Sequence, residues 1–332
     1  MKFEEIAKEW LCRKSVGVTY THIKDLEYRI NHLVSALGQK EIEKIKWVDV
    51  ENLLISRAIK NPNTKKPASK KLVTNLKNTA YSIFEYAIDL ELIQINPIRG
   101  KKIPKCAPRK KRRALTPREQ QLILKTNHRL KAVAVIMMLL GLRTGEIIPL
   151  VWNDIDLVEL KIFVNKSVTK ISANKYEIKT GTKNGKERIL PIPVDVAIFL
   201  EKEKNKAEFP FITCQLNGKL HTPSSWKSAW RSFYNQLNFT GYDGKESIYT
   251  PKGIPKIVDN ITPHMLRHTF ETLLYTSGVD VLTASELLGH ADTDTTLEIY
   301  THLQEITILK SIDKYDQFLT SNIYNSNLPT NQ

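Results

Sequence analysis

Cysteine is scarce in this sequence: Cys12, Cys106 and Cys214 stand far apart and form no CxxC pair. That usage suggests neither a disulfide framework nor a zinc site, and it fits a reducing cytoplasm. Long hydrophobic runs are also missing. The longest strongly apolar stretch, Ala132 to Leu142, falls far short of the roughly 20 residues that cross a bilayer and reads as a buried helix. The opening MKFEEIAKEW is slightly acidic and lacks the apolar region of a signal peptide, so no membrane partner is expected. There is no GxxxxGK(S/T) loop and no Asp/Glu cluster of the two-metal type, so neither ATP nor Mg²⁺ is implied and no cofactor is expected. Negative charge is the scarce sign: 35 Asp and Glu face 50 Lys and Arg, leaving a net +15.

A surplus of that size favours a polyanionic partner, because Lys and Arg that neutralise phosphates release condensed counterions from nucleic acid. A membrane surface would also attract it, and some proteins are simply basic. The length of 332 residues suggests about two domains. The first part reads as a helical bundle. Phe3, Ile6, Ala7 and Trp10 lie at i, i+3, i+4 and i+7, one apolar helix face. Further helices are expected over Thr21 to Leu37, ended by Gly38, over Val48 to Lys60, stopped by Asn61-Pro62, and over Ser69 to Leu90, with Leu72, Leu76, Tyr81, Phe84 and Ile88 on its apolar side. Between Arg99 and Arg113, nine of fifteen residues are Lys or Arg and none is acidic, and Pro104 and Pro108 oppose a helix. This is a solvated linker, either a plain tether or one that lies along DNA phosphates through Lys101, Lys102, Lys105, Arg109, Lys110, Lys111, Arg112 and Arg113. The expected division is therefore a helical domain over 1–98, a basic linker over 99–114, a second domain over 115–318 and a tail over 319–332.

The second domain is mixed. Thr116-Pro117-Arg118-Glu119 combines a cap residue, Pro at the first helical position and Glu three residues after the Thr, a good helix start. A buried helix is expected over Ala132 to Leu140, then strands at Lys161 to Asn165, Lys175 to Lys179 and Glu187 to Pro191. The last two flank Asn184-Gly185, a strong signal for a tight hairpin joining them. Helices follow over Val194 to Lys206, Ser224 to Leu237, Pro263 to Thr276, Val281 to Leu288 and Thr295 to Lys314, with a polar loop from Gly241 to Asn260. The fold class is mainly α with a small antiparallel sheet.

Several residues suggest chemistry. In Thr262-Pro263-His264-Met265-Leu266-Arg267-His268, Thr262 caps and Pro263 starts a helix. His264 and Arg267 then emerge three apart at its N-terminus, a ready anion site. Gly289 suits a left-handed helix end, from which His290 projects. Arg143, directly after a buried apolar segment, needs a partner: either Glu146 or a ligand phosphate. Lys183 sits at the mouth of the Asn-Gly hairpin, where a mobile ammonium can be delivered to a ligand. Tyr300, one of twelve tyrosines, lies ten residues beyond His290.

Singly each signal is modest. In order and spacing, Arg143, Lys183, His264-x-x-Arg267, Leu-Gly-His290 and Tyr300 resemble the tyrosine recombinase, or phage integrase, family. The likeness extends from Arg113 to about His302 through the pieces GLRTGE, TKNGKERILPIP, HMLRHTF and LGHADTDTTLEIYTH. The preceding bundle is similar to the family's core-binding domain, and the second domain to its α+β catalytic domain. The resemblance implies site-specific recombination of DNA by covalent catalysis, with Tyr300 as nucleophile forming a 3′-phosphotyrosine. Arg143 and Arg267 would grip the non-bridging oxygens, and His290 would hydrogen-bond one of them. His264 would accept a proton or donate to the phosphate, and Lys183 would protonate the leaving 5′-oxygen. Glu146 would support Arg143. The implied partners are double-stranded attachment-site DNA, three further copies of the chain in a tetramer on synapsed DNA, and in some systems an excision factor. A small arm-binding domain ahead of the bundle is not expected, since the first helix already reads as part of it. A catalytically inactive, accessory DNA-binding relative is the alternative. A type IB topoisomerase or telomere resolvase shares the chemistry, and a basic scaffold protein would leave the ordered residues unexplained.

Overall fold

The computed structural model of the chain describes residues 1–60, 62, 65, 67–105, 113–181, 187–240, 258, 261–289 and 297. It divides into two compact units, one of Met1–Lys111 with Lys170–Ala173, the other of Arg112–Thr169 and Asn174–Gln332.

In the first unit, α1 (Phe3–Lys14), α2 (Tyr20–Leu37), α3 (Trp47–Ile59) and α4 (Lys70–Asp89) enclose one apolar core. Phe3, Ile6, Ala7 and Trp10 are buried together as their spacing requires, meeting Leu33 and Leu37 of α2, Leu54 of α3, and Leu76, Ile83 and Phe84 of α4. The α2 and α4 starts are fixed by hydroxyl caps: Thr19 accepts from the His22 N–H and Ser69 from the Leu72 N–H. On α4 the buried stripe runs through Val73, Leu76, Ala80, Ile83 and Phe84, so Leu72 and Tyr81 lie at its edge, packed on the core but partly exposed. Ile98 is fully buried and Ile103 packs on the same core, so the bundle holds the first residues of the basic segment while Lys101, Lys102 and Lys105 stay exposed.

The second unit begins with α5 (Pro117–Lys125), started by the expected reciprocal cap between Thr116 and Glu119. Helix α6 (Lys131–Leu139) is buried almost all round, as its apolar sequence demands, and α7 (Thr144–Ile147) follows at once. Five short strands come next: β1 (Ile155–Asp156), β2 (Lys161–Val164), β3 (Lys166–Ser172), β4 (Lys175–Thr180) and β5 (Arg188–Pro191). Then come α8 (Val194–Lys204), α9 (Pro223–Thr240), α10 (Pro263–Thr276) and α11 (Val281–Leu288). Helices α6 and α10 pack together through the middle of the unit, and Trp226, Trp230 and Phe233 of α9 join the same core. No described helix is long and apolar enough to cross a membrane.

The strand pairing corrects the expected hairpin. β5 pairs antiparallel with β2, Ile162 opposite Leu190 and Val164 opposite Arg188, and β2 pairs with β1. β4 instead pairs with β3. The reason is burial. Ile162, Val164 and Leu190 turn to one face and disappear into the core, whereas β4 buries none of its residues. Joining β4 to β5 would have left the β2 face uncovered. Residues 182–186, with Asn184-Gly185, the helix expected over Thr295 to Lys314 apart from Leu297, and the tail lie outside the described residues, as does the loop expected over Gly241 to Asn260 apart from Val258.

Candidate active site

Arg143 is delivered by a turn that admits only glycine before it. Gly141 has φ of +72°, and a Cβ on it would lie 2.2 Å from Cδ1 of Phe270. Arg143 then occupies the cap position of α7. Its N–H donates to Glu146 Oε2 at 2.8 Å and its Nη1 donates to Oε1 at 3.0 Å. The open choice of partner is thus answered in the unliganded chain: Glu146 takes the charge. Yet Arg143 is 27% exposed, and with Nη1 and Nη2 donating once each, three of its five N–H groups remain for a ligand.

Glu146 is only 2% exposed and has a second cation. Arg188 of β5 meets it fork to fork, Nη1 to Oε1 at 2.9 Å and Nη2 to Oε2 at 2.8 Å. Burial pushes the carboxyl pKa up. The hydrogen bonds and charge of Arg188, joined by the N–H and charge of Arg143, outweigh burial and bring it down to about 2.

Arg267, one turn along α10 from the exposed His264, is 2% exposed. Its Nη1 donates to the Gly141 carbonyl and its Nη2 to the Leu288 carbonyl, both at 2.6 Å, and Nε lies 3.7 Å from Glu271 Oε1. Burial lowers its pKa, the Arg143 charge lowers it further, and Glu146 and Glu271 oppose them, leaving about 9, so it is charged at neutral pH. His268 Nδ1 approaches the other Glu271 oxygen at 3.4 Å but is not aligned to hydrogen-bond it. Thr262 caps α10 by position only; its hydroxyl accepts no helix N–H, contrary to expectation.

The two arginines converge on the end of α11. Leu288 O takes Arg267 and Gly289 O takes Arg143, the latter at 2.8 Å. A helix C-terminus carries orphan carbonyls and partial negative charge, so two guanidiniums are well placed there. Gly289 closes α11 in the left-handed conformation, φ 62° and ψ 44°, as its position after Leu288 suggested. Arg143 and Glu146, three residues apart, are therefore brought into one cluster with the distant Arg267 and Gly289.

Lys183, His290 and Tyr300 lie outside the described residues, as do Arg109, Lys110, Lys111 and Arg112. Arg113, grouped with the DNA-contacting linker, has its fork on Glu119, with both contacts at 2.6 Å. Sequence reasoning missed Arg188. The signal was there: in a strand over Glu187 to Pro191, Arg188 shares a face with the apolar Leu190, and an inward arginine needs a buried acid. Among the described residues, no group of three or more His, Cys, Asp or Glu side chains is placed to hold a metal ion.

Comparison with known proteins matches residues 113–306 to the model of the phage integrase family. The ICEBs1 integrase of Bacillus subtilis (strain 168) is 28% identical over 345 residues, covering 96% of this chain and 84% of that protein. A XerC-like tyrosine recombinase of Caldanaerobacter subterraneus subsp. tengcongensis is 29% identical over 296 residues, covering 82% and 72%. Among solved structures, the Tn1549 transposon integrase in complex with transposon right end DNA superposes with a TM-score of 0.75 at 20% identity, covering 95% of this chain and all of that one. A lambda integrase tetramer bound to a Holliday junction gives 0.65 at 18% identity, covering 88% and 78%. At such identities the likeness to solved structures is one of fold.

Proposed function

The chain belongs to the phage integrase family, a family of enzymes that break and rejoin DNA, and on that premise we propose that it is the site-specific tyrosine recombinase of a mobile element. One observation of geometry carries the reading: Arg143 and Arg267, from separate elements, hold adjacent carbonyls of Leu288 and Gly289 immediately before His290. A phosphate seated there would meet two guanidiniums at once.

In the proposed reaction the Tyr300 phenol oxygen attacks the scissile phosphorus. The Tyr–O–P bond forms as the bond from phosphorus to the 5′-oxygen breaks. The phenol, with an unperturbed pKa of about 10, gives its proton to His264 or to water, and Lys183 protonates the leaving 5′-oxygen. Arg143 and Arg267 stabilise the charge that grows on the non-bridging oxygens, and His290 donates to one of them. Reversal by a 5′-hydroxyl from another strand reseals the DNA. The phosphotyrosine conserves the bond energy, so no nucleotide cofactor is called for.

The helical unit and the catalytic unit would both contact double-stranded attachment-site DNA, with the basic segment from Arg99 to Arg113 along the backbone and the domain division at 98 and 115. Four protomers would assemble on two synapsed sites, with an excision factor setting direction. A nicked duplex from the DNA flanking the gene tests the reading: the short 5′ fragment diffuses away and traps the covalent complex. Wild type is expected to give a denaturation-resistant shifted band, and Tyr300→Phe to bind the duplex equally but give no band. Salt-sensitive binding by wild type to every flanking duplex without any band would favour the non-cleaving relative.

A further inference from the structure

Among the described residues, Arg188 is a nearly buried cation of the cluster that the reaction above does not use. It lies on the inward face of β5, opposite Val164 and on the same side as Leu190, a place where strand alternation calls for an apolar residue. Its side chain is 10% exposed and both Nη atoms go to Glu146. The buried Nε finds no acceptor among the described residues, so this placement serves the carboxylate at the expense of the arginine's own satisfaction.

We propose that Arg188 is a positioning residue for strand cleavage: it locks the Glu146 carboxylate, which in turn fixes the Arg143 guanidinium for the phosphate. The inference rests on the recombinase reading. Glu146 accepts four hydrogen bonds, from Arg143 N, Arg143 Nη1, and both Nη atoms of Arg188. A carboxylate has about four acceptor sites, so every one is filled and rotation about the carboxylate is blocked. Without Arg188 only the two bonds from Arg143 remain, and acid and base can swing together. Arg188 also supports the other side of the cluster. A Cβ on Gly289 would lie 2.9 Å from Arg188 Nη1, so the guanidinium packs directly under the residue whose carbonyl holds Arg143 Nη2. One side chain thereby fixes both anchors of Arg143. Lysine keeps the charge but cannot bridge two carboxylate oxygens.

The test is Arg188→Lys, alone and with Glu146→Gln. Expected for the single variant are a melting temperature lowered by a few degrees but a fully folded protein at the assay temperature, a Kd for the nicked duplex within about twofold of wild type, and a first-turnover cleavage rate at saturating DNA lowered about tenfold to a hundredfold, the scale of a displaced reacting group. If Arg188 acts through Glu146, the double variant falls no more than about threefold below the slower single variant. A cleavage rate equal to wild type, or losses that multiply in the double variant, would overturn the proposal. Proteins labelled with ¹⁵N-arginine give a readout that needs no DNA. Arg143 should show separate, slowly rotating Nη signals in wild type and averaged signals in Arg188→Lys; identical signals in both would overturn the inference. A wild type that cleaves nothing would defeat the recombinase reading, while the arginine signals would still decide whether Arg188 positions Arg143. Arg188→Gln, which retains one donor to Glu146, replaces the lysine variant if that does not fold.

Discussion

Glu146 and His221 are both buried ionisable groups, and they make the catalytic unit sensitive to acid in two separate windows. His221 is 1% exposed, with Nε2 at 2.9 Å from the Thr213 hydroxyl and Nδ1 at 3.0 Å from the Ser225 hydroxyl. Burial, helped by the Arg129 charge, lowers its pKa from 6.5 to about 4. The unfolded chain therefore takes up a proton there before the folded chain does, so the full contribution to stability is present above pH 6.5 and is lost as the pH falls toward 4. Glu146 has its pKa depressed from 4.5 to about 2; its contribution is complete above pH 4.5 and is lost as the pH falls toward 2. Each shift corresponds to on the order of 3 kcal/mol. Urea denaturation from pH 7.5 to 4 should show stability falling first between 6.5 and 4; burial lowers the His128 pKa to about 4 as well, so His221→Gln should remove about half of that fall. A decline unchanged in the variant would remove His221 as its source. Arg113 illustrates how a residue's neighbours decide its role. Its fork is on the buried Glu119, which also accepts from the Thr116 N–H and hydroxyl, so Arg113→Gln should destabilise the catalytic unit by about 1 kcal/mol in urea denaturation, the scale of a solvent-exposed pair.

The turns at Gly141 and Gly289 set where α7 begins and where α11 ends, and at this scale the two glycines differ in what surrounds them. Alanine at 141 would suffer its positive φ and drive Cβ into the Phe270 ring, while alanine at 289 would press the end of the Arg188 side chain. A left-handed non-glycine residue costs about 1–2 kcal/mol, and overpacking adds about 1–3 kcal/mol where the neighbour cannot yield. Gly141→Ala should therefore lose more stability in urea denaturation than Gly289→Ala; the reverse order would contradict this picture. Much of this scale was legible in the sequence. The helical period of Phe3 to Trp10, the Thr116–Glu119 cap, the apolar run of α6 and the left-handed Gly289 are local features, and local chemistry decides them. Strand pairing was not legible, because the burial of Ile162, Val164 and Leu190 against distant helices outweighed the Asn-Gly turn signal. The arginine cluster was legible in its members Arg143, Glu146 and Arg267, since their order resembles a known family. Arg188 was signalled only by its sharing a strand face with Leu190, and pairing with β2 is what shows that this face turns inward.

Across the whole molecule the +15 charge should govern affinity for DNA more than its specificity. Lys101, Lys102 and Lys105 are exposed beside the packed Ile103, so the bundle holds them, and none of the three forms an ion pair among the described residues. If each meets a phosphate, replacing all three with glutamine lowers the slope of log K against log salt by about 2.7, at roughly 0.9 per contact. An unchanged slope in the triple variant would place the DNA path elsewhere.

The most direct test of the account is the chemical identity of the residue joined to DNA. Wild-type protein trapped on the nicked duplex would be digested with protease and nuclease, and the nucleotide-bearing peptide sequenced by mass spectrometry. The account expects a single modified peptide spanning Leu297 to His302 with the nucleotide on Tyr300. A nucleotide on any other residue would contradict it.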